Sequence, residues 1–289
     1  MKEIRKAVLP VAGLGTRFLP VTKSVPKEML PIVDKPLIQY AVEEAIEAGI
    51  EEFIFVTHPE KSAIEDYFNR SETLERELAA SNKMDLLGQL SGLLSADFSY
   101  KFIFQHQPLG LGHAVLCARE AVAGEPFAVI LPDDLIVNKP GCLSQMTGLF
   151  RQNQASNIAV ETVPPEQTDR YGIVSTAEGS DTVKTITAIV EKPSPEEAPS
   201  TLAVVGRYIL TPRIFELLEK TPQGSGGEIQ LTDAIAMLLE DETLYACEFD
   251  GIRYDCGSRL GYLQANVALA LAHPELEEIF SDFLSSIER

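Results

Sequence analysis

Positive charge is scarce in this sequence. Only 24 Lys and Arg stand against 43 Asp and Glu, a formal net charge of -19. So acidic a surface repels nucleic acid and anionic lipid, and neither is expected as a partner. Any phosphate site must be a local exception, built from a few cations and backbone amides. Each Lys or Arg inside a glycine-rich motif therefore carries more weight than usual. Cysteine is sparse too. Cys117, Cys142, Cys247 and Cys256 form no C-x-x-C pair, and no histidine stands at zinc-finger spacing from them. No disulfide or zinc site is expected, and Cys117 and Cys142, in apolar segments, read as buried thiols. Long apolar runs are missing: nothing approaches the ~20 residues needed to span a bilayer. The N-terminus MKEIRKAVLPVAG has a basic start but no secretory apolar region ending in a small-residue cleavage site. A soluble, cytoplasmic protein is expected.

What is present is enough apolar residue for a sizeable core: 45% of 289 positions. The first half alternates strand and helix patterns. Apolar runs at 5–11, 52–57, 101–105 and 127–131 read as buried strands. Helical spacing marks 36–48, ending at Gly49, then 60–69 and 111–122. A polar helical stretch at 72–95 reads as an excursion from the sheet. Repeated βαβ units with continuous apolar strands predict an α/β fold, a Rossmann-like, mostly parallel sheet with helices on both faces. The second half changes character. Strands at 172–176, 183–191 and 203–210 follow without long helices between them, which predicts a smaller antiparallel β portion packed beside the sheet. Helices at about 212–220 and 229–240 come next, then a long helix from Arg259 toward His273 and a last amphipathic one to about Ile287. With no repeat and no low-complexity linker, 1–289 reads as one domain, its halves meeting near residue 135.

Ala12-Gly13-Leu14-Gly15-Thr16-Arg17 follows the first strand. Two glycines let the backbone approach a ligand and point successive amides at it. The dinucleotide fingerprint fails, because Phe18 takes the place of its third glycine, and a P-loop fails because no Gly-Lys-Ser/Thr follows. A tight strand-to-loop turn would serve as an explanation of the glycines alone. The next stretch argues further: Arg17, Lys23 and Lys27 lie in a long loop broken by prolines, and cations after a glycine turn suit a triphosphate. Asp133 and Asp134 end a strand, where ligand sites of open α/β sheets gather. Carboxylates suit magnesium there, although an Asp pair can equally cap a turn. The four histidines, at 58, 106, 113 and 273, are scattered, which leaves no Ser-His-Asp arrangement in view.

AGLGTRFLPVTKSVPKEMLPIVDKP resembles the signature loop of the sugar nucleotidyltransferases. HQPLGLGHAV (106–115), ILPDDL (130–135), RYGIV (170–174), VEKP (190–193), GGEIQLTDAI (226–235) and YDCGS (254–258) continue the resemblance in order. KEMLPI and GLGHAV are similar to the uridylyltransferase branch of that family. The resemblance implies transfer of uridylyl from UTP to glucose-1-phosphate, giving UDP-glucose and pyrophosphate, with Mg2+ as cofactor. It implies a nucleotide half at about 1–135 and a sugar-binding half at about 136–289. It places Arg17, Lys27, Asp133 and Lys192 as catalytic residues, with Asp133 and Asp255 holding the metal. The nucleotide falls to Ala12, Gly13, Gly15, Thr16, Glu28, Gln107 and Gly112, with Gln107 offering uracil both a donor and an acceptor. The sugar falls to Asp134, Gly172, Glu191, Lys192 and Gly206. For Glu191-Lys192 the plain alternative is a surface ion pair. For Asp255 it is a helix cap, a role Ser258 could fill instead. A homodimer or homotetramer is expected, with 72–95 and the C-terminal helices as contact surfaces.

One departure stands out. Thymidylyltransferase relatives carry arginine where this chain has Gly226-Gly227. Either Lys192 carries the sugar phosphate alone or Arg170 or Arg207 helps. The competing functions are a weakly active or regulatory nucleotide-sugar binder, a thymidylyltransferase specificity, and a glycosyltransferase. The last would show Asp-x-Asp and lack the Gly-x-Gly-Thr-Arg loop.

Overall fold

The computed structural model describes residues 2–92, 98–177 and 183–287. Its first half runs β1 (Lys6–Pro10), a loop of three short 3-10 turns, β2 (Pro31–Ile32), β3 (Lys35–Pro36), α1 (Leu37–Glu47), β4 (Glu52–Thr57) and α2 (Ser62–Phe68). Helices α3 (Glu72–Ala80) and α4 (Met84–Gly92) form the excursion before β5 (Ser99–Phe104). Then come α5 (Gly110–Cys117), α6 (Arg119–Val122), β6 (Phe127–Ile130) and β7 (Asp134–Val137). The second half holds α7 (Cys142–Asn153), β8 (Asn157–Thr162), β9 (Gly172–Thr176), β10 (Val183–Glu191), β11 (Leu202–Leu210) and α8 (Arg213–Leu218). It ends with α9 (Leu231–Asp241), β12 (Tyr245–Glu248), β13 (Ile252–Asp255), α10 (Arg259–Leu271) and α11 (Glu277–Ser286).

Among the described residues, nine strands form the main sheet, in the order β5-β4-β1-β6-β11-β8-β12-β10-β9. The first four are parallel, as their continuous apolar sequences predict. Along β1, Val8 packs into the core under α5, α8 and α9, while Ala7 and Leu9 pack into the core under α1, α2 and α7. That alternation is why both faces must be apolar.

The antiparallel strands extend this same sheet instead of forming a layer beside it. β11 lies antiparallel to both β6 and β8, and also pairs with β9. The second half therefore curls until its last strand meets β11 again. A register shift between Val204 and Tyr208, with Gly206 at φ +30°, lets β11 bend. Helix α7 and strand β8 are elements the sequence pattern did not announce. α7 buries Cys142, Leu143, Met146, Leu149 and Phe150, but Thr147 and Gly148 lower its helical signal. The stretch read as one helix at 111–122 is two helices separated at Ala118. Cys117 is only half-buried, whereas the other three cysteines are buried, and none is paired. No helix among the described residues is long and apolar enough to cross a membrane.

Two buried ion pairs position the loops at the end of β1 and β6. Arg207, 1% exposed, donates from Nη2 to Glu44 Oε2 at 2.7 Å and from Nη1 to the Leu131 carbonyl at 3.0 Å. Glu44 Oε1 also accepts from the Leu143 amide at 2.9 Å. One pair thus joins β11, α1, the start of α7 and the turn that leads to Asp133. Lys61 makes the second. Its ammonium donates to the carbonyls of Val11 (2.6 Å) and Gly13 (2.5 Å) and lies 3.2 Å from Glu28 Oε2. Burial pushes the Glu28 carboxyl above its ordinary range, with Lys27 and Lys61 opposing that rise.

Arg207→Met strands the Glu44 charge inside the protein. It is expected to lower unfolding free energy by about 3–5 kcal/mol in urea titrations, and Arg207→Met with Glu44→Leu to lose clearly less. Lys61→Met acts through Glu28. A carboxyl whose folded pKa is raised favours folding while protonated and loses that contribution as pH rises through the folded pKa. Removing Lys61 raises it further. The stability gap between Lys61→Met and the parent should therefore be wider at pH 8 than at pH 5, as read from melting temperatures across that range.

Candidate active site

The β1 and β6 strands are neighbours and run the same way, so their C-terminal ends deliver the glycine loop and Asp133 to one edge. Ala12, Gly13, Leu14, Gly15 and Thr16 line a cavity of about 450 Å³ there. Lys27, Glu28, Gln105, Gly110, Asp133 and Glu228 line it too. The two loop glycines have different reasons. Gly15 sits at φ +64°, and a Cβ on it would stand 3.2 Å from both Lys27 Cβ and Thr22 Cγ2. A Cβ on Gly13 would meet nothing within 4 Å, since Gly13 borders the open cavity. Glu28 adds a buried acceptor: its Oε1 makes no hydrogen bond among the described residues.

Three carboxylates gather at the mouth. β13 pairs antiparallel with β7, setting Asp255 opposite Asp134, next to Asp133. Lys27 Nζ donates to Asp133 Oδ2 at 2.5 Å. Burial opposes the Asp133 charge, yet Lys27 beside it and Arg17 beyond hold its carboxyl below the ordinary range. Asp255 Oδ1 accepts from the Gly257 amide at 3.1 Å, and its Oδ2 faces Arg170 at 3.2 Å. Ser258 takes the N-cap of α10, accepting from the Gly261 amide, which leaves Asp255 outside that duty. Arg17 reaches the same place, donating from Nη1 to the Gly257 carbonyl at 3.3 Å.

Gly257 gauges this space. A Cβ built there would lie 3.0 Å from Asp133 Oδ2, 3.1 Å from Asp255 Oδ1 and 3.4 Å from Arg17 Nη1. Two carboxylate oxygens therefore flank one small gap, with a lysine ammonium already resting on one of them. That donor set fits a hard divalent cation that takes only one or two protein carboxylates and completes its shell from phosphate and water. Among the described residues no cluster of three or more His, Cys, Asp or Glu is placed to hold a metal by itself.

Beyond the carboxylates lie the residues expected to meet a sugar. Glu191 Oε1 is 2.8 Å from Lys192 Nζ, so the two side chains form an ion pair. Gly172 packs against Glu191 and Thr232: its Cβ would fall 3.5 Å from Glu191 Oε2. Asp134 is committed elsewhere. Arg253 Nη2 lies 2.5 Å from its Oδ1, and Arg253 also donates to Glu161 at 3.2 Å. Burial, with Asp133 and Asp255 close by, pushes the Asp134 carboxyl up, against the pull of Arg253. Gly206 is glycine on account of Asp134, whose Oδ2 would be 2.5 Å from a Cβ there.

Two residues expected to meet the nucleotide, Gln107 and Gly112, lie outside the cavity lining. Gln107 is exposed and does not line the cavity, whereas Gln105 does. Gln105 Nε2 donates to the Gly110 carbonyl at 3.1 Å, and its amide is bonded to Thr57 in continuation of β5. Gly112 is buried by packing, with the Ile229 carbonyl 2.6 Å from its would-be Cβ, and Gly110 borders the cavity in its place. Arg207 is bound to Glu44 deep in the core, so of the two arginines weighed against Gly226-Gly227 only Arg170 lies at the mouth. Arg253, Thr232 and Glu228 were not singled out by the sequence. Arg253 had a signal, since it stands two residues before Asp255 and shares its face of β13.

Comparison with known proteins places the chain in a family. A curated UTP–glucose-1-phosphate uridylyltransferase of Bacillus subtilis is 47% identical over 288 residues, 99% of this chain and 98% of the relative. A UTP-bound UGPase from Acinetobacter baumannii superposes with TM-score 0.91 at 48% identity, covering 99% of this chain and all of that one. A UDP-glucose pyrophosphorylase complexed with UDP-glucose superposes with TM-score 0.86 at 46% identity, covering 93% and 100%. The sequence model described as nucleotidyl transferase matches residues 6–271, and the chain belongs to that family, whose members generally work with a divalent metal.

Proposed function

We propose that this chain transfers uridylyl from UTP to glucose-1-phosphate, forming UDP-glucose and pyrophosphate. The observation that carries the reading is the convergence of Asp133, Asp255, Arg17 and Lys27 at the mouth of the glycine-loop cavity. An otherwise acidic surface has built there a site for highly charged phosphate. Relatives at 46–48% identity that bind UTP or UDP-glucose support the choice of substrates.

The chemistry is an in-line displacement. A phosphate oxygen of glucose-1-phosphate attacks the α-phosphorus of UTP; the new O–P bond forms as the bond to the bridging oxygen breaks, and pyrophosphate leaves with that electron pair. The nucleophile is already anionic, since a phosphate monoester loses its second proton near pH ~6. No general base is needed, in keeping with the scattered histidines. The chain's task is to hold two anions together and offset the charge that builds up. Arg17 and Lys27 face the triphosphate, the amides of 12–16 cradle it, and Lys192 receives the sugar phosphate with Arg170 near. Glu28 and Gln105 line the cavity where the base and ribose would sit. Asp133 and Asp255 would hold Mg2+, which when bound supplies positive charge against the α-phosphoryl oxygens. Four unpaired cysteines suit a reducing, cytoplasmic setting.

The purified chain with Mg2+, UTP and glucose-1-phosphate is expected to release pyrophosphate and form UDP-glucose, with ATP and GTP poor substitutes. Asp133→Asn and Asp255→Asn should each lower turnover roughly a hundred- to thousandfold, the cost of one well-placed electrostatic partner. Their melting temperatures should stay near that of the parent. Near-parental turnover with a lowered melting temperature would show capping carboxylates instead of a metal site.

A further inference from the structure

Glu191 holds two partners of different kinds. Lys192, the partner of Oε1, is 52% exposed and sits at φ +45°, a left-handed conformation that non-glycine residues hold only when their surroundings impose it. Thr232, the partner of Oε2, is 8% exposed and donates its hydroxyl at 2.6 Å. Thr232 is the second residue of α9, so the carboxylate also lies at the positive end of an 11-residue helix. The absence of a side chain at Gly172 is part of the same arrangement: a Cβ there would press within 3.3 Å of Thr232 Oγ1.

We infer that Thr232 is a positioning residue that sets sugar specificity by fixing Glu191. The inference rests on the sugar-site reading of Glu191 and Lys192 given above. Lys192 leans on Oε1. A sugar phosphate offers that ammonium a dianion, and Lys192 turns to it. Oε1 is then left open toward the sugar hydroxyls. Oε2 stays held by Thr232, so the carboxylate keeps one orientation and cannot rotate to follow a hydroxyl of inverted configuration. A freely rotating carboxylate would accept from either epimer. A fixed one rejects the analogue whose hydroxyl points elsewhere, because a polar group is then left unpaired.

The test compares Thr232→Val, Thr232→Ala and Thr232→Ser in steady-state assays with glucose-1-phosphate, galactose-1-phosphate and UTP. Valine keeps the shape and removes the hydroxyl; alanine removes it without adding a methyl group; serine keeps it. Val and Ala are expected to raise KM for glucose-1-phosphate roughly tenfold or more, the scale of one hydrogen bond to a charged group. KM for UTP should stay within about twofold, and the kcat/KM preference for glucose- over galactose-1-phosphate should fall. Ser should return both to within about threefold of the parent. The inference is overturned if Val and Ala leave the glucose-1-phosphate KM and the epimer ratio unchanged, if they raise both substrates' KM equally, or if Ser behaves as Val does. Glu191→Gln separates the two levels. Should it raise the sugar-phosphate KM while Val and Ala do not, only the role of Thr232 falls. Should Glu191→Gln change nothing, the sugar-site reading falls with it.

Discussion

A carboxylate taken out of water needs a cation beside it, and six carboxylates in and around this cleft have one. Glu44 has Arg207, Glu28 has Lys61, Asp133 has Lys27, Asp134 has Arg253, Asp255 has Arg170 and Glu191 has Lys192. In a chain of net charge -19 this matching is the condition for having a cleft at all. It also sorts the residues. Pairs sealed in the core, such as Arg207 with Glu44, hold the frame. At the mouth, Arg170 with Asp255 and Lys192 with Glu191 are partly exposed.

Exchange is what phosphate chemistry demands. An incoming phosphate can draw Lys27 or Lys192 from its carboxylate, and the carboxylate so released is available to a metal ion or a hydroxyl. Cation and anion positions are set before substrate arrives, so little reorganisation remains for the reacting complex.

Strands with dense β-branched and aromatic residues were legible to the residue: β4, β9 and β10 begin and end where the pattern does. α7 was not, because its buried face is interrupted by Thr147 and Gly148. The curling of the sheet was not legible either, since it depends on one bend at Gly206 whose reason, the Asp134 side chain, lies more than seventy residues away. Arg17, Lys27, Asp133 and Asp255 were singled out by charge and by the family motifs, and the fold brings them together. That Gln105 lines the cavity was not legible, because it depends on where β5 stops, and the extended backbone continues one residue past its last ladder pair. Thr232 and Arg253 act on other side chains, and their partners, Glu191 and Asp134, become visible only when the chain is folded.

The pairing of β13 with β7 has a bearing on the order in which the chain is made. Every strand of the main sheet has been synthesised by Glu248, yet Asp255 follows it, on a ribbon outside that sheet. A ribosome reaching Glu248 has therefore supplied the glycine loop, Lys27 and Asp133, but the second carboxylate arrives only with the next few residues. In chain order the acidic end of β13 therefore follows every strand of the main sheet: a chain ending at Glu248 has all nine of them and lacks Asp255.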